Sequence, residues 1–122
     1  MKRLLLVLLF ILAAACHRQD ERTSKELTAG DPAKGKQAIA SYGCGACHQI
    51  KGVDGANGMV GPPLNNIGSR TMLAGQLPNS PDNMIKWIRT PQEVESGTSM
   101  PNLGVTENDG RDIAAYLYTL RE

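Results

Sequence analysis

Cys44-Gly45-Ala46-Cys47-His48 sets two thiols three positions apart, with an imidazole directly after the second. No other feature restricts the possible folds as sharply. Thiols at that spacing reach the two vinyl groups of one porphyrin, and the adjoining histidine comes up beneath its iron. The pentapeptide is thus an attachment sequence for covalent c-type haem. Gly45 and Ala46 are small enough for the backbone to lie against the ring. Two other uses of such cysteines fit less well. A structural zinc site takes four protein ligands, and only Cys44, Cys47 and His48 cluster here. A thioredoxin-like dithiol sits beside a βαβ pattern, and the chain has none. One covalent haem is the expected cofactor, bonded to Cys44 and Cys47 and ligated by His48.

The rest of the sequence calls for such a group. Three helices are expected. The first takes Asp31 as N-cap and Pro32 at its first position, and ends near Tyr42-Gly43. The second starts at Ser80-Pro81, carries Met84, Ile85, Trp87 and Ile88, and stops at Thr90 before Pro91. The third starts at Thr106, with Asp109 in a capping-box-like place, and carries Ile113, Tyr116, Leu117 and Leu120 at helical spacing. No strand pattern is evident, so the fold class is all-α. More than 30 residues rich in Gly, Pro and Asn, from His48 to Asn79, separate the first two helices. A loop that long in a small domain is functional or argues against the assignment. The chain holds one Trp and one Phe, too little for three short helices to bury a sufficient core. A porphyrin wrapped by the loops resolves both difficulties.

The N-terminus reads as an export signal. Lys2 and Arg3 precede an apolar run, Leu4–Ala15, too short for the roughly 20 residues that span a bilayer but suited to a secretory signal. Two cleavage readings compete at Ala13-Ala14-Ala15-Cys16. Ala-x-Ala suits an ordinary signal peptidase. A cysteine after small residues also resembles a bacterial lipoprotein signal, although Ala13 stands where leucine is preferred. Cys16 would otherwise be an unpaired thiol in an oxidising compartment, which favours lipidation there. The expected organisation is a signal peptide over 1–15, a lipid-anchor cysteine and flexible tether over 16–30, and one domain over 31–122. The location is the periplasmic side of a bacterial membrane, anchored by lipid or otherwise soluble.

Charge narrows the partners. The formal charge is +1, from 13 basic and 12 acidic residues; loss of residues 1–15 removes two basic residues and leaves −1. No block of like charge follows, which speaks against nucleic acid.

Ordered motifs then accumulate along the chain. Tyr42-Gly43-Cys44-Gly45-Ala46-Cys47-His48 is followed by Val60-Gly61-Pro62-Pro63-Leu64, Ser69-Arg70 and Leu77-Pro78-Asn79. Trp87-Ile88-Arg89-Thr90-Pro91, Met100-Pro101-Asn102-Leu103-Gly104 and Ala115-Tyr116-Leu117 come after. From about Asp31 to Arg121 the chain resembles class I cytochrome c, and within it the bacterial domains found alone or fused to a subunit of haem–copper oxidases. The resemblance implies three main helices and long loops around one haem. It also implies that His48 leans on a carbonyl of the Gly-Pro turn, matching Pro62, and that Arg70 lies near a propionate. Trp87 would donate to a propionate, pack beside the axial methionine, or serve only the core. Gly35 and Tyr116 are expected where the first and last helices meet.

The sixth iron ligand is chosen among methionines, because the only other histidine, His17, lies outside the domain. Met84 belongs to a helical stripe, and spacing alone does not eliminate Met59 or Met72. Met100, in the small-residue loop Gly97-Thr98-Ser99-Met100-Pro101, falls at the family's distal methionine. The implied function is transfer of single electrons, from a donor such as a quinol-oxidising complex to an acceptor such as a terminal oxidase or dehydrogenase. The protein would be a monomeric carrier, not itself an enzyme, or a haem-bearing subunit of a larger oxidoreductase. A sensor of small ligands is the remaining alternative.

Overall fold

The caps read from the sequence set the helix boundaries. In the computed structural model, which describes residues 1–121 apart from the side chains of Arg3, Ala13, Cys16 and His17, α1 (Lys2–Thr28) leads into α2 (Pro32–Tyr42). Then come a ribbon of β1 (Met72–Leu73) and β2 (Leu77–Pro78), and the helices α3 (Pro81–Arg89), α4 (Pro91–Val94) and α5 (Glu107–Thr119). Single 3₁₀ turns occupy Cys44–Ala46 and Ile67–Ser69. Asp31 accepts from the backbone N–H of Ala33 at 2.9 Å, Ser80 from that of Asn83 at 3.3 Å, and Thr106 from that of Asp109 at 3.1 Å. Such caps stabilise a helix by about 1 kcal/mol each. The mostly helical expectation holds.

The core forms where α2, α3 and α5 meet. Ile39, Met84, Ile85, Ile88, Ile113, Ala114 and Leu117 pack together, and the loops add Ile50, Ile67, Leu73 and Val105. Tyr42 joins α2 to α5 by donating to Asp109 Oδ2 at 2.7 Å. Tyr116 makes a further link. Its hydroxyl donates to the Lys51 carbonyl at 2.7 Å, so it ties α5 to the loop after His48. Gly35 is at the α2–α5 contact, where α5 backbone fills the space of a side chain.

Residues 17–28 depart from expectation. They continue α1 as helix instead of forming a flexible tether, and the end of α1 reaches α5. The reason is chemical. The face turned inward is made by Ser24 and Thr28, both buried, so no apolar stripe advertises it. Each hydroxyl satisfies itself on its own helix: Ser24 donates to the Glu21 carbonyl at 2.9 Å and Thr28 to that of Ser24 at 2.8 Å. Leu4–Leu12, by contrast, are each more than half exposed. Among the described residues no helix is long and apolar enough to cross a membrane.

The ribbon also went unread in the sequence. Ala74 and Gly75 both take positive φ, 49° and 67°, and Gln76 N–H donates back to the Leu73 carbonyl at 2.9 Å. Two strands of two residues leave too little alternation to detect.

Candidate functional site

Gly43, with φ 75°, closes α2 in the left-handed conformation and turns the chain directly into Cys44–Ala46. The Cys44 carbonyl accepts from both Cys47 N–H (3.2 Å) and His48 N–H (3.0 Å). Two thiols and one imidazole therefore issue from a single turn. The following loop folds back against it. Gly58 N–H donates to Gly45 at 3.0 Å, and Gly61 N–H to Cys47 at 2.8 Å. These approaches need bare backbone: a Cβ on Gly45 would lie 2.7 Å from Ala56 Cα, and one on Gly58 would lie 2.6 Å from the Cys47 carbonyl carbon.

His48 is held by this loop. Its Nδ1 lies 2.7 Å from the Pro62 carbonyl oxygen. A carbonyl only accepts, so Nδ1 carries the proton and Nε2 presents its lone pair. Gly61 presses on the ring, where a Cβ would come within 2.7 Å of Nδ1 and 3.0 Å of Nε2. This is the arrangement of an imidazole prepared to bind metal through Nε2, with a second group fixing its tautomer.

The cysteines fit a covalent attachment. Cys44 and Cys47 are both free and half-buried. Burial pushes the Cys44 thiol above its usual pKa. Among the described residues no three His, Cys, Asp or Glu side chains converge as a metal site.

Met100 is half-buried in the loop between α4 and α5. Its backbone is held on both sides: Met100 N–H donates to Thr98 Oγ1 at 3.2 Å, and Gln92 Nε2 donates to the Met100 carbonyl at 2.7 Å. Met84 lies in the core, whereas Met59 is 85% exposed and Met72 also exposed. Trp87 is half-buried on α3. Arg70 donates to the Pro63 carbonyl and to Asn66 Oδ1 at 3.1 Å through its terminal nitrogen and 3.3 Å through Nε. His48 and Pro62 are thus in direct contact, and Arg70 reaches the residue after Pro62. The Cys16 thiol, the expected lipidation site, is outside the described side chains.

Several contributors were not singled out in the sequence. Gln92 anchors the Met100 loop, Gly61 backs the imidazole, and Asn79 bridges two loop carbonyls, of Ile67 at 2.9 Å and Arg70 at 2.8 Å. Asn79 and Gly61 lay inside ordered motifs, which was their only signal. Gln92 gave none.

A family model described as Cytochrome c matches residues 32–121. The chain is similar to cytochrome c oxidase subunit 2 of Alkalihalophilus pseudofirmus, at 35% identity over 89 residues, which are 72% of this chain and 25% of that protein. It is also similar to cytochrome c oxidase subunit 2 of Bacillus sp. strain PS3, at 30% identity over 105 residues, 82% of this chain and 30% of that protein. The chain matches less than a third of the length of these relatives. No solved structure matches it.

Proposed function

The chain belongs to the cytochrome c family, and on that premise we propose that it carries one haem c and passes single electrons between redox proteins. Cys44 and Cys47 would hold the haem through thioethers, with His48 and Met100 as axial ligands. The bound haem supplies one iron that changes by a single electron between ferric and ferrous. His48 keeps Nε2 available because Pro62 takes the proton on Nδ1. The thioether sulfur of Met100 would favour ferrous iron and so raise the potential. With His48 and Met100 both engaged, the haem would have no place left for a small ligand. The Arg70 guanidinium and the Trp87 indole N–H are the donors available to anionic propionates.

The 2.7 Å contact between His48 Nδ1 and the Pro62 carbonyl carries this reading, because it orients an imidazole beside the two thiols. The matured protein is expected to give one thioether-bonded haem per chain by pyridine haemochrome analysis. Haem extracted by acid acetone would sink the attachment. Met100→Ala is expected to lower the potential and abolish the methionine–iron charge-transfer band; a persisting band transfers the role to Met59 or Met72. Carbon monoxide that readily shifts the reduced spectrum would favour the sensor.

A second reading, an oxidoreductase subunit in place of a free carrier, is favoured by the names of the relatives, both cytochrome c oxidase subunit 2. Copurification of a stoichiometric partner after detergent extraction decides for the subunit. Residues 1–15 are proposed as the export signal and Cys16 as the lipidated residue on the periplasmic side of the membrane. The exposed apolar run Leu4–Leu12 supports that placement, since water is a poor environment for it. Cys16→Ser is expected to release the protein from membranes; retention through a salt wash rules lipid anchoring out.

A further inference from the structure

Tyr118, in the last turns of α5, donates its hydroxyl to Asn79 Oδ1 at 2.7 Å. Burial pushes this phenol up to about 12, so it remains a donor throughout the physiological range. The bond orients the Asn79 amide. Its Nδ2 spends both hydrogens on carbonyls, of Ile67 at 2.9 Å and of Arg70 at 2.8 Å, which exhausts the donors of that group. The Asn79 N–H donates to Thr71 at 2.9 Å. One side chain thus brackets the 3₁₀ turn Ile67–Ser69 and its exit.

From that exit Arg70 reaches back to the Pro63 carbonyl and to Asn66. Pro62 and Pro63 have fixed φ and no N–H. Gly61 N–H and Leu64 N–H tie the two ends of this strap to the Cys47 and Gln49 carbonyls at 2.8 and 2.9 Å, and between them the prolines are held by what their carbonyls accept. Pro62 takes the proton of His48 Nδ1, and Pro63 takes the guanidinium of Arg70. From Tyr118 the contacts run through Asn79 and Arg70 to Pro63, and the Pro62–Pro63 peptide bond joins them to the acceptor of the imidazole.

We propose that Asn79, oriented by Tyr118, is a positioning residue for His48: it fixes the turn that carries Arg70, and through Arg70 it fixes the Pro62 carbonyl against Nδ1–H. This rests on the reading of His48 as an iron ligand. A firm hydrogen bond from Nδ1–H raises the basicity of a ligating imidazole, which favours ferric iron. Loosening the strap favours ferrous iron and raises the potential.

The test uses the haem-loaded protein and two readouts, the midpoint potential and the exchange rate of the His48 Nδ1 proton by NMR in the ferrous state. Asn79→Ala is expected to shift the ferric-to-ferrous balance by up to tenfold, about 59 mV upward for one electron, and to speed proton exchange. Tyr118→Phe keeps the ring and removes only the hydroxyl, so it moves both readouts the same way by less. Asp112→Ala serves as a stability control. It removes the acceptor of the Asp31 N–H at 2.7 Å, far along the chain from the strap, and is expected to weaken the fold without moving the potential. Folded Asn79→Ala and Tyr118→Phe with parental potential and exchange overturn the proposal, as does an Asp112→Ala shift as large as theirs. If Asn79→Ala does not fold, Tyr118→Phe decides alone. A parent protein whose His48 ring signals lack the porphyrin ring-current shift would remove the ligand assignment instead.

Discussion

Gly35→Ala destabilises the domain by more than about 3 kcal/mol and lowers its thermal midpoint by roughly 12–24 °C. Two effects oppose each other at this position. Alanine is a better helix former than glycine by about 1 kcal/mol, so α2 alone would gain. Against that, a Cβ on Gly35 would sit 2.5 Å from the Asp112 carbonyl carbon and closer still to its oxygen, with Ile113 N at 3.0 Å. All three atoms are α5 backbone and cannot rotate away. Restoring ordinary contact requires the helices to part by roughly 1 Å. Ile39, Ile113 and Ala114, each at most 2% exposed, lie at that contact and would lose packing together. The clash wins. Thermal melts of the haem-loaded protein followed by circular dichroism check this, and an unchanged or raised midpoint would mean that helix propensity dominates and the approach is looser than described.

Gly35 also marks how far the sequence could be read. Helix starts were legible because their signals are local: Asp31-Pro32, Ser80-Pro81 and Thr106 each cap the backbone within three residues. The pentapeptide was legible for the same reason. Contacts made by side chains to distant carbonyls were not. Asn79 meets Tyr118 across 39 positions, and no periodicity reports such a pair. The end of α1 stayed hidden because the hydropathy of Ser24 and Thr28 says surface, while hydroxyls bonded to their own helix allow burial. Arg70, expected near a propionate, also donates to the Pro63 carbonyl and to Asn66, contacts that no pattern in the sequence announces. Pro63 supplies the carbonyl that Arg70 grips.

Gly61→Ala leaves the fold in place and disables the site. Gly61 does not adopt a positive φ, so alanine suits its backbone and secondary structure should persist. The closest approach is to the imidazole, since the new Cβ would come within 2.7 Å of His48 Nδ1 and 3.0 Å of Nε2. Either the ring tilts or the loop withdraws. Gly61 N–H is bonded to the Cys47 carbonyl at 2.8 Å and Pro62 follows immediately, so withdrawal carries the acceptor of Nδ1 away with it. Both outcomes break the 2.7 Å contact to Pro62. Loss of such a partner costs on the order of 10–100-fold in metal affinity or activity, and the yield of low-spin holoprotein or its electron-transfer rate should fall by about that factor. Far-UV circular dichroism separates this from unfolding. Retained helix with a disturbed Soret band is the expected pair of results, because the atoms nearest the added methyl group all belong to the imidazole. A normal low-spin spectrum at the parental potential would show that the ring has room to move, and the tight seat inferred for His48 would have to be given up.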